Sequence, residues 1–171
     1  MRCLKRALVV GAIVGALVLL VTHRTAWALA RNVAPVSLQV PVAGVARASL
    51  RSSFGEPRSE HRRHRGIDIF AKRGTPVVAA CGGEVVRIGH DRLGGNVVWV
   101  AGGGARLYYY AHLEAFRPGL TVGERVDGGA VLGRVGTTGN ARGTSPHLHF
   151  GVYPAARAFW AVDPAPLLRQ P

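Results

Sequence analysis

Pairs and triplets of glycine divide most of this chain into short runs that are rich in valine and tyrosine. The glycines stand together at residues 82–83, 94–95, 102–104 and 128–129. The runs beside them cover residues 84–90, 96–101, 105–112 and 130–135, each about as long as an ordinary β-strand. No stretch after residue 30 has the sustained apolar period of 3.6 residues that a helix needs. Short strands joined by glycine turns predict an all-β domain built on a mainly antiparallel sheet.

The first thirty residues differ from the rest of the chain. Arg2, Lys5 and Arg6 precede an apolar run of 15 residues over 7–21, and a small-residue Ala-Leu-Ala site ends at Ala30. This is the pattern of a secretory signal peptide. A helix that crosses a bilayer needs roughly 20 residues, although tilting or local thinning accommodates shorter ones. We therefore expect residues 1–30 to form a hydrophobic export helix. It is either cleaved as a signal peptide or kept as a signal anchor, with residues 7–21 in the inner membrane. The remainder is expected to be exported to the periplasm or cell envelope.

The net charge of +13 divides between these two parts. Four of the 22 basic residues precede residue 31 and no acid precedes Glu56, so residues 31–171 keep a net charge of +9. A strongly basic chain usually binds nucleic acid, an anionic membrane or a polyanionic polymer. Because an exported domain does not meet nucleic acid, we expect no nucleic-acid partner. Contact with the membrane is expected only through the N-terminal segment, if it is uncleaved.

Two further features limit how the domain can be organised. Residues 31–50 contain Pro35 and Pro41 and few charges, so they are predicted to form a linker or a first edge strand. Of the two cysteines, only Cys81 follows the export segment, so the domain can form no internal disulfide. Its stability must come from packing, from a bound metal, or from both.

Histidine and aspartate recur at spacings that suit a metal site. His64 precedes Asp68 by four residues, and His147 and His149 form a His-x-His pair. In a strand, residues two apart point to the same face, so these paired imidazoles lie side by side. A metal is a good partner for their lone pairs, and Asp68 would add an oxygen ligand. Two other readings stay open at this level: the pair can lie on an exposed strand face, and Asp68 can pair with a neighbouring arginine.

The order of the motifs resembles the lysostaphin-type, or LytM-domain, zinc metallopeptidases of peptidase family M23. The resemblance covers about residues 51–168. Its motifs are His64-Arg65-Gly66-Ile67-Asp68, Tyr110-Ala111-His112-Leu113 and Pro146-His147-Leu148-His149-Phe150-Gly151, with Ser52-Ser53-Phe54-Gly55 at the entry to the domain. It implies a mainly antiparallel β-sheet of the LytM type with a groove over a metal ion.

Carried over by position, the resemblance also implies roles for five residues. His64, Asp68 and His149 would bind Zn²⁺, while His112 and His147 would be catalytic residues beside the attacking water. Tyr110 shares a strand face with His112 by simple alternation, so we expect it to line the groove and contact substrate.

The substrates of this family are the cross-bridges and stem peptides of bacterial peptidoglycan. The chain is therefore expected to be a zinc-dependent endopeptidase that hydrolyses peptidoglycan. The alternative is a non-catalytic wall-binding domain that activates an amidase, as in relatives that have lost metal ligands. The presence of all five positions favours the enzyme.

A cluster of arginines lies beside the first metal motif. Its members are Arg51, Arg58, Arg62, Arg63 and Arg65. It is either a solvated basic loop or a contact for an anionic polymer or for stem-peptide carboxylates, to which guanidinium groups bind well.

Overall fold

The computed structural model describes residues 38–58 and 61–169. The predicted export helix over residues 1–30 lies outside this part of the chain. Among the described residues, no helix is long and apolar enough to cross a membrane.

Eight strands form one sheet in the described part of the chain. They are β1 (Ile67–Phe70), β2 (Pro76–Val78), β3 (Gly83–Asp91), β4 (Gly95–Gly102), β5 (Arg106–Phe116), β6 (Arg125–Val126), β7 (Val131–Val135) and β8 (His147–Pro154). A short helix, α1 (Pro164–Arg169), follows β8, and short 3-10 turns lie at Arg47–Ser49, Gly139–Ala141 and Ala155–Arg157.

The strands pair in the order β1-β8-β5-β4-β3-β6, and β7 joins β5 to β2. Every pairing between these strands is antiparallel. The predicted mainly antiparallel β domain is therefore confirmed. Strands β1, β8 and β5 are neighbours at one end of this order, which places three of the sequence motifs side by side.

The four runs between the glycine clusters correspond to β3, β4, β5 and β7. Their ends agree with the predictions to within one residue, except that β5 continues to Phe116. This extension exists because the end of β5 leaves β4 and pairs with β7 instead, with Leu113 opposite Val135 and Phe116 opposite Gly133. Because β7 is distant in sequence, the local sequence of β5 does not predict this pairing.

One face of the sheet carries the main core. Fully buried side chains on it include Ile67, Val98, Tyr108, Tyr110, Leu148 and Phe150. The opposite face holds a smaller buried cluster of Val97, Tyr109, Ala111 and Tyr153. The sheet therefore has a thick apolar side and a thin side, and the thin side carries the groove described below.

The described end of the 31–50 segment packs along β2. Leu38 and Val42 are buried in the core, and the Gln39 amide donates to the Ala80 carbonyl at 2.9 Å. The Ala43 amide donates to the carbonyl of Pro76 at 3.0 Å. Residues 38–43 thus lie beside the sheet edge, paired with it through an isolated bridge at Val42.

A bulge in β5 moves His112 from one face of the sheet to the other. Val98 lies opposite Tyr110 and Asn96 lies opposite Leu113, so β5 has one residue more than β4 between these pairs. His112 takes up the extra residue with a left-handed φ of 64°. Tyr110 and Leu113 both remain in the core, while His112 turns to the thin side of the sheet.

Candidate metal centre and groove

Three adjacent strands and one loop bring the motif residues together. Asp68 on β1 lies directly opposite His149 on β8, and His149 in turn lies opposite Ala111 on β5. His64 comes from the loop that leads into β1. The sheet register, and not local sequence, therefore assembles the site.

The ligand atoms of His64, Asp68 and His149 form a compact triangle. The Nε2 atom of His64 lies 2.8 Å from Nδ1 of His149. Asp68 Oδ1 lies 3.1 Å from the first nitrogen and 3.2 Å from the second. Ligands at about 2.0–2.1 Å from a tetrahedral zinc ion would be about 3.3 Å apart, so the observed separations are slightly shorter than those around such an ion and a small movement of the rings would admit it. These three residues are a group that could hold a metal.

The protonation states of the triangle also suit a cation. Burial lowers the pKa of His149, which keeps its ring neutral. Burial opposes ionisation of Asp68, but hydrogen bonds from His149 and His64 hold the pKa of its carboxyl well below the usual range. Because metals bind neutral imidazole and ionised carboxylate, the site favours the forms that a metal requires.

Neighbouring groups fix the orientation of two of these side chains. His64 Nδ1 lies 2.8 Å from both the Ser53 carbonyl oxygen and Arg58 Nη2, so these two groups hold the ring with Nε2 turned toward His149 and Asp68. Arg58 Nη2 donates to Asp68 Oδ2 at 2.7 Å, which leaves Oδ1 turned toward the imidazoles. Asp68 therefore forms an ion pair with Arg58 through Oδ2 and at the same time contributes Oδ1 to the triangle.

His112 and His147 lie beside the triangle with their rings 5.0 Å apart. Each donates through Nδ1 to a backbone carbonyl, His112 to Thr138 at 2.9 Å and His147 to Ser145 at 2.8 Å. In both rings Nε2 is thus the nitrogen available to a ligand or water. Burial, together with His149 and His147, lowers the pKa of His112 to about 4, so its ring is neutral at pH 7.

Gly66 allows the loop between His64 and β1 to pass against β8. A Cβ atom at this position would lie 2.4 Å from the Phe150 carbonyl oxygen and 2.9 Å from the His149 ring. Only glycine fits this close approach without moving a metal-site residue.

A groove with a volume of about 1110 Å³ runs over these histidines. Part of its lining is an aromatic cluster in which the Trp99 ring packs at a tilt against Tyr109 and Tyr153, with ring centroids 4.4 Å and 5.3 Å apart. Tyr109 also meets His149 edge-on at 5.8 Å. These three residues were not among the predicted site residues, although alternation along β5 places Tyr109 on the face opposite to that of Tyr108 and Tyr110.

The expectation that Tyr110 lines the groove is wrong. Tyr110 is fully buried in the core, where its ring lies 5.3 Å from that of Phe150 and its hydroxyl accepts a 2.9 Å hydrogen bond from the Ala80 amide. The bulge explains the error, because it separates the face of His112 from the face of Tyr110.

Comparisons with known proteins agree with this architecture. The sequence model of peptidase family M23 matches residues 62–164. The L-Ala–D-Glu endopeptidase of Bacillus subtilis is 40% identical over 129 residues, which are 71% of this chain and 40% of the relative. The peptidoglycan DD-endopeptidase ShyC of Vibrio cholerae is 37% identical over 105 residues, which are 58% of this chain and 23% of the relative.

Solved structures give the same result. The catalytic domain of lysostaphin from Staphylococcus simulans matches with a TM-score of 0.62 and 30% identity, over 71% of this chain and 91% of that domain. The chain spans two-fifths or less of the length of the two curated relatives above. The family model alone covers more than half of this chain, and the chain belongs to peptidase family M23.

Proposed function

We propose that this protein is a zinc-dependent endopeptidase that hydrolyses peptide bonds in the cross-links or stem peptides of bacterial peptidoglycan. The observation that carries the proposal is the convergence of His64, Asp68 and His149 into one ligand triangle, with two further imidazoles beside it. Both curated relatives described above are named as endopeptidases, which supports the reaction class. The name of ShyC supports peptidoglycan as the substrate.

In this proposal His64, Asp68 and His149 hold the zinc ion. Zinc bound there supplies Lewis acidity, which activates water at neutral pH and polarises a peptide carbonyl. Asp68 adds the only negative charge of the ligand set, and the contact with Arg58 keeps its second oxygen occupied. The rest of the chemistry requires proton transfer, which falls to the other two histidines.

His112 and His147 are the proposed catalytic residues. Their Nδ1 protons are held by the carbonyls of Thr138 and Ser145, so only Nε2 of each ring can exchange a proton with substrate or water. A neutral Nε2 can accept a proton from the attacking water. The same nitrogen, once protonated, can donate a hydrogen bond to the oxyanion of the tetrahedral intermediate and then return the proton to the leaving amine.

Export belongs to the same proposal. We infer that residues 1–30 direct the chain to the cell envelope and that residues 51–168 form the metallopeptidase domain. The basic and apolar pattern of the N-terminal sequence supports the first inference, and the extent of the family match supports the second. Peptidoglycan lies in that compartment.

The test is digestion of purified peptidoglycan by the zinc-loaded full chain, followed by mass spectrometry of the soluble products. Peptide cleavage that a chelator abolishes and zinc restores is the expected result. Wall binding without any released peptide would instead favour the non-catalytic, amidase-activating alternative. A His149→Ala variant controls for contaminating hydrolases, because its preparation should release nothing.

A further inference from the structure

Five arginines line the groove beside the ligand triangle of His64, Asp68 and His149. They are Arg58, Arg62, Arg63, Arg65 and Arg92. Four come from the segment before β1, and Arg92 comes from the turn between β3 and β4. Asp68 and Asp91 are the acidic residues among the described lining residues. The groove is therefore strongly basic even before a metal ion adds its own charge.

Both aspartates are already engaged in the structure. Asp91 accepts hydrogen bonds from the Gly94 amide at 2.6 Å and from the Tyr109 hydroxyl at 3.2 Å, which together tie the β3–β4 turn to the groove. Asp68 belongs to the ligand triangle and binds Arg58. Neither carboxylate forms an ion pair with Arg65, whose side chain is exposed along the groove.

The backbone of Arg65 lies beside the ligand triangle although its side chain is exposed. It lies between the buried residues His64 and Gly66, and its carbonyl oxygen is 3.5 Å from the Tyr153 hydroxyl. The guanidinium group therefore extends from a backbone position one residue from a ligand of the proposed zinc ion. An anion bound by Arg65 would lie close to the bond being cut.

We infer that this arginine-lined part of the groove, centred on Arg65, is a subsite for a free carboxylate of the substrate peptide. The inference rests on the proposed function and names its substrate class: stem peptides that carry free carboxyl groups, in preference to neutral glycine bridges. A planar guanidinium group binds a carboxylate through two parallel hydrogen bonds, whereas a carboxamide offers one acceptor and no charge. Proximity to His64 favours a carboxylate on the scissile peptide over a separate anionic wall polymer.

The test compares two synthetic stem peptides that differ only in free carboxyl groups or carboxamides. Their dissociation constants are measured by calorimetry with the zinc-loaded full chain, and their kcat/KM values are measured by chromatography. We expect the acidic peptide to be preferred about tenfold, the scale of a charge-assisted hydrogen bond at a partly exposed site. Arg65→Gln should bring the ratio of the two close to one, and Arg65→Lys should leave an intermediate ratio.

Arg125→Gln is the matched control, because Arg125 is an exposed arginine on β6 outside the groove and its loss changes the net charge equally. Equal binding of the two peptides by the wild type would overturn the inference. So would an Arg65→Gln variant that keeps the wild-type preference, or one that loses affinity only for intact wall. If neither peptide is cleaved, the proposed function fails, while the ratio of dissociation constants still decides the subsite.

Discussion

The Nε2 atom of His64 and the Nδ1 atom of His149 lie 2.8 Å apart although 85 residues separate them in the chain. Both rings are held so that these nitrogens face each other and a carboxylate oxygen of Asp68. Two imidazole lone pairs at this distance repel unless a proton or a cation lies between them. The pair is therefore arranged for a shared ion, and the first predictions concern that ion.

Zinc binding should depend on the residues of the ligand triangle, here tested at Asp68 and His149, but not on a histidine outside the groove. Asp68→Asn and His149→Ala each remove a donor atom from the triangle, so we expect zinc affinity to fall more than about 100-fold. Competition with a colorimetric chelator measures it. His90→Ala is the control, since His90 lies on β3, is not among the residues that line the groove, and contacts the Asn96 side chain at 3.2 Å. A variant of Asp68 that keeps wild-type affinity would contradict the ligand assignment.

The other two histidines should separate catalysis from metal binding. His112→Ala and His147→Ala remove a proton-accepting Nε2 but no ligand atom, so the variants should keep one zinc per chain. We expect kcat to fall about 10²- to 10⁴-fold, the usual contribution of general acid–base catalysis. Wall digestion and zinc content are measured on the same preparation. Activity within threefold of wild type would exclude that residue from proton transfer.

Stability should depend on pH through His112. Its pKa in the folded protein is about 4, against 6.5 for an unperturbed histidine, because it is buried. Below pH 6.5 the unfolded chain binds a proton that the folded chain excludes, so the free energy of unfolding falls as the pH drops toward 4. The total is about 3 kcal/mol at 1.4 kcal/mol per unit.

Urea unfolding of the chelated protein at pH 7, 6 and 5 measures this effect. His112→Gln cannot titrate in this range and provides the reference at each pH. As the pH falls, the free energy of unfolding of the wild type should decrease relative to that of His112→Gln. A difference that stays constant across the three values would contradict the prediction.

Gly66→Ala should disturb the metal site by displacing the backbone next to His64. The added methyl group would meet the Phe150 carbonyl oxygen and the His149 ring, so the loop that carries His64 must move. We expect both lower thermal stability and weaker zinc binding. Gly89→Ala is the matched control, because its nearest neighbour would be Arg87 Nε at 3.9 Å. Equal zinc affinity in the two variants would show that the close approach is not required.

Tyr110→Phe should affect stability and leave activity unchanged. Removing the hydroxyl leaves the buried Ala80 amide without its 2.9 Å partner, at a cost of about 1–3 kcal/mol in the free energy of unfolding. Tyr109→Phe removes a hydroxyl that bonds to the Asp91 side chain and leaves no backbone group unpaired, so it should cost less. Chemical denaturation and wall digestion report the two properties. A loss of activity in folded Tyr110→Phe would show that Tyr110 contributes to the function of the groove.

Local patterns predicted the parts of this structure that local forces determine. Glycine turns and alternating apolar residues were enough to place β3, β4 and β7, because turn chemistry acts over a few residues. The His-x-His pair predicted a shared face correctly, since β8 is regular from His147 onward. The ordered motifs of a known family located the other residues of the triangle.

The errors and omissions arise where tertiary register overrides alternation. The bulge at His112 depends on how β5 pairs with β4 and then with β7, and no residue within β5 signals it. Tyr110 was assigned to the wrong face for that reason. The aromatic contacts of Trp99 with Tyr153 join strands that are distant in sequence, so no motif contains them.

The left-handed backbone at His112 places two selective demands on one position. A side chain with a Cβ atom pays about 1–2 kcal/mol to adopt φ of 64°, a conformation that glycine adopts freely. A chain selected only to stay folded would carry glycine at this bulge, whereas the proposed proton transfer needs an imidazole there. Stability alone therefore favours glycine at position 112, and the proposed activity favours histidine. The position is one at which folding and activity select for different amino acids.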